Sequence, residues 1–263
     1  PREMRNQSSL MRTINQSTGI APFDLCSVAD VGDALPENPF ELVASHKAIE
    51  DFYHNIVKHN VMPISAGGDH SVTLPVLRAL AKDAPVALVH FDAHCDTGDD
   101  YLGSKFHHGS PFKIAAEEGL IDPKKTIQIG IRGSVTDRDI WSFSYESGMR
   151  VIHIEELYEL GIKKVIEEIH QLVGDTPAYI TFDVDGLDPV YAPGTGTPEI
   201  GGFTTFEAQQ MIRGLDGLNI VGGDVVEVAP PFDPTGNTAL TGATMMFEIL
   251  CVAAKSLSKR KSA

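Results

Sequence analysis

The chain has 263 residues, of which 42% are hydrophobic and 22% charged, and its formal net charge is -15. This is an ordinary globular composition with material for a sizeable core, and its acidity argues against nucleic acid or an anionic membrane as partner, since either needs clustered Lys and Arg. Three widely spaced cysteines, Cys26, Cys95 and Cys251, with no apolar leader and no stretch near the roughly 20 apolar residues that span a bilayer, point to a reducing, cytoplasmic setting.

In chain order, residues 1–20 carry Met4, Leu10, Met11 and Ile14 in a polar background and predict a short helix. Residues 24–32 read as a short strand, and residues 39–58 as a helix on the spacing of Leu42, Val43, Ile49, Phe52, Ile56 and Val57. His46, His54 and His59 fall on or just after that helix and read as surface residues. Residues 64–70 are an apolar strand turning polar at Gly67-Gly68-Asp69-His70, residues 71–82 a helix, and residues 86–96 a strand that ends in acids and a histidine.

A polar loop over 97–108 follows, then a helix over 109–119, a strand over 126–131, a helix over 137–147, a strand over 151–154 and a helix over 162–173. Residues 179–185 form another strand, and a Pro- and Gly-rich loop over 186–202 shapes a pocket mouth. A helix over 206–215, a strand over 219–228 and a closing helix over 238–257, capped by Asn237, complete the pattern. Lys255 to Lys261 read as a solvated basic tail, 255–263. Alternation of this kind, without a Pro/Ser-rich linker, predicts a single α/β domain over 1–263 with a mostly parallel sheet covered by helices.

Three strand ends collect acids and histidines: His70; Asp92, His94 and Asp96; and Asp183 and Asp185. Alternation along a strand would turn Asp92, His94 and Asp96 to one face, and C-terminal strand ends in a parallel sheet line a ligand crevice. Any one group alone reads more readily as a polar strand end or a turn cap than as a metal site. Together they would repel without cations, because like charges gathered in a crevice raise one another's pKa values. Four carboxylates and two imidazoles suit Mn²⁺ better than sulfur-rich structural zinc sites do, and six ligands fit two ions sharing bridging carboxylates better than one. His90 reads as support for Asp92, Cys95 as packing, and Arg132 as a contact to an acidic loop or another subunit.

Gly67-Gly68-Asp69-His70-Ser71, Phe91-Asp92-Ala93-His94-Cys95-Asp96 and residues 181–189, with Ala192-Pro193-Gly194-Thr195-Gly196-Thr197-Pro198, resemble the signature segments of the ureohydrolases, the family of arginase, agmatinase and the guanidino-acid hydrolases. Residues 198–202 and 223–228 are closer to its agmatinase and guanidinobutyrase branch. The resemblance implies a three-layer α-β-α fold and a homotrimer or homohexamer. It also implies that part of the family's N-terminal segment lies before Pro1.

It implies two Mn²⁺ per chain, bridged by Asp92 and Asp183, with His70 and Asp96 completing one ion and His94 and Asp185 the other. Glu227 would hold the substrate's guanidinium, and Asp96 or His108, rather than the adjacent His107, would deliver the proton that releases the amine. The activity implied is hydrolysis of a guanidine to urea and an amine. Agmatine and the ω-guanidino acids such as 4-guanidinobutanoate stand level as substrates, with Asp99, Asp100 and Glu199 as candidates to meet an ammonium tail. Arginine, free guanidine or an alkylated guanidine, a silent subunit partnering an active one, and a deacetylase-like enzyme with one zinc are the alternatives.

Overall fold

A computed structural model of the chain describes residues 1–262. Val86 to Phe91 is apolar at every position but one, and such a run is stable only when both faces are covered. It forms β2 (Val86–Phe91), buried throughout, near the middle of a six-stranded sheet. The others are β1 (Ile64–Ala66), β3 (Ile121–Ile131), β4 (Arg150–His153), β5 (Ala178–Asp183) and β6 (Ile220–Val226), in the order β1-β6-β5-β2-β3-β4 and all parallel.

The helices are α1 (Arg2–Ser8), α2 (Pro22–Leu25), α3 (Leu42–Val57), α4 (Thr73–Leu80), α5 (Pro111–Glu117), α6 (Ser142–Ser147), α7 (Ile154–Leu160), α8 (Ile162–Val173), α9 (Thr205–Gly214) and α10 (Asn237–Ser262). Strand alternation divides the core between the two faces of the sheet. Ala87, Val89 and Phe91 join Ile180, Phe182, Val165, Met211 and Ile249 on the side of α8, α9 and α10. Val86 and Leu88 join Leu74, Leu77, Phe112 and Tyr179 on the side of α4 and α5. The result is the expected three-layer α-β-α arrangement.

Several local expectations are corrected. Residues 24–32 form no strand: Pro22 starts the short α2, and Val28 and Val31 stay exposed, because Asp30 and Asp33 are drawn to Arg5 rather than to a sheet edge. Helix α7 was not legible, since its buried Ile154 and Leu157 run on from β4 and only Gly161, at φ 76°, separates it from α8. Strand β3 starts earlier than predicted, and α6 starts later.

Asn237 does not cap the closing helix. Its side chain donates to the Tyr191 carbonyl, while Asp233 Oδ2 takes the Thr238 amide at 2.6 Å. Nor do the basic residues form a tail: they continue α10, with Lys255 paired to Asp216 and Arg260 donating to the Ile220 carbonyl. Ala263 lies outside the described residues. Helix α10 is also long and apolar enough to cross a membrane by length and composition, over Asn237–Arg260 with its most apolar 18-residue window at mean hydropathy 1.4, contrary to the sequence reading. Its most apolar window is 61% buried, against β6, α1 and α9.

Candidate metal centre

The site is built where β1, β2, β5 and β6 end. Strand β2 stops at Phe91, so strand alternation does not arrange Asp92, His94 and Asp96. They lie on a bend. Asp92 Oδ1 accepts the His94 amide at 2.6 Å, and Asp96 adopts a left-handed φ of 52°, uncommon for a residue with a Cβ. The neighbouring strand can approach this bend because residue 130 is glycine at φ 106°, where a Cβ would stand 2.8 Å from the Asp92 carbonyl oxygen.

The other loops are tied to it. After β1 the chain passes through Gly67 and Gly68 into a 3₁₀ turn, His70–Val72, capped by Asp69 on the Ser71 amide. After β5 a second 3₁₀ turn, Val184–Gly186, is capped by Asp183 Oδ1 on the Asp185 amide at 2.8 Å. Asp185 Oδ1 then accepts the Ala93 amide at 3.1 Å. One oxygen of each of Asp92, Asp183 and Asp185 is thus fixed by a backbone N–H.

Asp183 and Asp185 aim their other oxygens, and Asp92 both of its own, at imidazoles. Nδ1 of His70 has Asp96 Oδ2 at 2.9 Å, Asp92 Oδ2 at 3.0 Å and Asp183 Oδ2 at 3.3 Å. Nδ1 of His94 has Asp185 Oδ2 at 3.1 Å and Asp92 Oδ1 at 3.4 Å. Asp92 therefore faces both histidines, while Asp183 is on the His70 side. Two groups of donor atoms each fall within 4.8 Å and could each hold a metal: His70, His90 and Asp92, and Asp92, His94 and Asp185.

Electrostatics fit a cation. His70 Nδ1 is buried with no hydrogen-bond partner, and three acid oxygens surround it at the spacing of ligands around one ion. Burial and then the charges of Asp185 and Asp92 push the Asp183 carboxyl well above its ordinary value. Burial, then Asp92, pushes Asp185 up to about 6. Burial opposes protonation of His94, yet Asp185 and Asp92 raise it to about 12. So many charges, almost all buried, are stable only when paired or neutralised by metal, and oxygen donors with a minority of imidazole form a hard-cation set.

At the open side, His94 is 35% and His108 52% exposed by side chain. Glu227, at φ 63°, accepts the His70 amide on Oε1 at 2.7 Å and has His108 Nδ1 3.9 Å away. Burial raises its carboxyl to about 7. A Cβ at residue 196 would lie 3.9 Å from Glu227 Oε2, so the Gly-Thr-Gly loop passes beside this carboxylate. His107 turns away and engages the Asp99 carbonyl. Asp99 itself is paired with Lys113.

Some residues have roles the sequence reading missed. His46 is buried rather than on the surface, its Nε2 3.0 Å from Ser71 Oγ. Among the described residues Arg132 forms no ion pair with an acidic side chain; its guanidinium donates to the carbonyls of Gly130, Asp185, Gly186, Leu187, Glu199 and Ile200, binding the ligand turn to the mouth loop. His90 supports Asp92 as expected, with Nε2 2.7 Å from Asp92 Oδ2. Thr181, Asp224 and Gln128 are fully buried beneath the site. Thr181 and Asp224 fall inside the segments that carry the family resemblance, but beyond that each of the three shows only as a polar residue interrupting an apolar strand.

The arginase family model matches residues 1–252. A guanidinopropionase of Pseudomonas aeruginosa is 56% identical over 260 residues, covering 98% of this chain and 81% of that protein. The mitochondrial agmatinase of Gallus gallus is 50% identical, covering 96% of this chain and 74% of that one. Among solved structures, the proclavaminate amidinohydrolase of Streptomyces clavuligerus superposes with a TM-score of 0.93 at 36% identity, covering 97% of this chain and 85% of that one.

Proposed function

This chain belongs to the arginase family, in its agmatinase and guanidinobutyrase branch, and from that premise we propose that it uses two Mn²⁺ ions to hydrolyse the guanidino group of agmatine or a short ω-guanidino acid to urea and an amine. Amidinohydrolase chemistry on guanidino compounds follows from the family and from its two candidate metal clusters. The observation that carries the proposal is the convergence of Asp92, Asp96 and Asp183 on His70 Nδ1, with His94 and Asp185 beside them. His70, Asp92, Asp96 and Asp183 would hold one ion, and Asp92, Asp183, His94 and Asp185 the other.

Cations held by these residues would supply a water whose pKa is lowered from about 15.7 towards about 7, and with it a nucleophile available at neutral pH. Guanidinium carbon is a poor electrophile, because its charge is delocalised. The chain's own part is to hold it. Glu227, anchored by the His70 amide, pairs in two-point fashion with the planar guanidinium and stabilises the charge that develops on the nitrogens. His108 stands 3.9 Å from Glu227 with half its side chain open, a position suited to giving the departing amine its proton. Asp96 is the second acid in reach.

The P. aeruginosa relative is a guanidinopropionase and the chicken relative an agmatinase, so both carboxylate and ammonium tails belong to the proposal. With Asp99 engaged by Lys113, Asp100 and Glu199 remain as the acids to meet an ammonium. The proposal includes a homotrimer or homohexamer, which rests on the family resemblance. It also includes a cytoplasmic setting, which suits the buried thiols of Cys95 and Cys251. The test compares kcat/KM for agmatine, 4-guanidinobutanoate, 3-guanidinopropanoate, arginine and guanidine. The highest value should fall on one of the first three, and preference for arginine or guanidine overturns the substrate assignment.

A further inference from the structure

Beneath the site the strands carry one polar residue each at the same level. In the register of the sheet Ser65 on β1 faces Asp224 on β6, Asp224 faces Thr181 on β5, Thr181 faces His90 on β2, and His90 faces Gln128 on β3. Ser65 is 7% exposed and the other four are fully buried. A row of polar groups in a core is costly unless every member is hydrogen-bonded. Here the bonds lead upward to the candidate ligands.

Their directions can be assigned. Asp224 Oδ2 accepts from Thr73 Oγ1 at 2.7 Å and from Tyr179 OH at 2.9 Å, and Oδ1 lies 2.6 Å from Thr181 Oγ1. A hydroxyl has one proton. Thr181 gives it to the carboxylate, so its oxygen must accept from His70 Nε2, 2.8 Å away. That fixes the imidazole proton on Nε2 and leaves the Nδ1 lone pair facing Asp92, Asp96 and Asp183. On the other arm, Gln128 Nε2 donates to the Cys95 carbonyl and to His90 Nδ1, so His90 Nε2 donates to Asp92.

We propose that Asp224 is a positioning residue for the metal centre, acting through the Thr181 hydroxyl to hold His70 with its proton on Nε2 and its Nδ1 lone pair toward the cation. This rests on the two-ion reading above. A neutral imidazole free to rotate or to change tautomer would spend part of its time with N–H toward the ion, and partners of this kind in other metal sites carry about 10- to 100-fold in affinity. The device is built into the sheet: only in-register parallel pairing of β5 with β6 brings residues 181 and 224 together.

The test is Mn²⁺ titration of the full chain, with free ion read by electron paramagnetic resonance, for wild type, Thr181→Val, Thr181→Ser and Asp224→Asn. Wild type should bind two ions. Thr181→Val, which keeps shape and loses the hydroxyl, should weaken one ion by about 10- to 100-fold and leave the other within about threefold, while Thr181→Ser stays within about threefold for both. Asp224→Asn should weaken the same ion as Thr181→Val. If Thr181→Val is not recovered folded, Thr181→Ala takes its place. Wild-type affinity at both sites in the hydroxyl-free variant or in Asp224→Asn overturns the proposal, as does equal weakening by Thr181→Ser. Fewer than two ions on wild type would instead overturn the two-ion reading.

Discussion

Oδ2 of Asp183 lies 3.3 Å from Nδ1 of His70, while Oδ1 of the same carboxylate is fixed by the Asp185 amide at 2.8 Å. Asp183 is therefore held in place whether or not a cation is bound, and it pays in repulsion. Its pKa is raised by burial and by Asp185 and Asp92. An acid whose folded pKa is raised destabilises the fold once pH exceeds its unfolded value. Asp183→Asn should thus melt higher than wild type in chelator at neutral pH, and lower than wild type in saturating Mn²⁺. Differential scanning calorimetry in both buffers checks the change of sign.

Removal of the ions from wild type should be visible without any substrate. Each ion held at 100 times its Kd contributes about 2.7 kcal/mol, and for a chain of this size each kcal/mol moves Tm by roughly 2–4 °C. Dialysis against chelator is expected to lower Tm by about 10 °C or more, and Mn²⁺ to restore it. An unchanged Tm would mean that the acid cluster holds no structural cation.

The sheet, most of its helices and the six acid and histidine positions at the strand ends could be read from apolar runs that turn polar. Their geometry could not. Asp92, His94 and Asp96 were expected to align by strand alternation, but β2 ends at Phe91 and a left-handed Asp96 makes the turn. Backbone of this kind is a property of the closed loop and of Gly130 beside it. The row under the site and most of the Arg132 contacts were hidden for a related reason, since they join residues distant in sequence that only the packed fold brings together.

Arg132 illustrates the scale of such bonds. Its guanidinium serves six carbonyls from three segments, those of Gly130, Asp185, Gly186 and Leu187 in buried bonds, and each buried acceptor left unpaired costs about 1–3 kcal/mol. Arg132→Met should lose at least about 3 kcal/mol in urea unfolding. Arg132→Lys should recover only part of it, because three donors replace a planar set of five.

Glu227→Gln separates binding of substrate from binding of metal. The amide keeps the shape and the contact with the His70 amide but loses the charge that pairs with guanidinium. Charged hydrogen bonds contribute about 1.5–3 kcal/mol each, so kcat/KM should fall by about 100-fold or more while the metal content is unchanged. An unaltered rate would remove Glu227 from the scheme.

The most direct measurement is urea release followed as Mn²⁺ is added stepwise to metal-free protein, with bound metal counted at each step and the best of the five guanidino compounds as substrate. The account predicts that urea production follows occupancy up to two ions per chain and that Asp92→Ala abolishes both. Full activity at one ion per chain, or two bound ions with no urea from any compound, would contradict it.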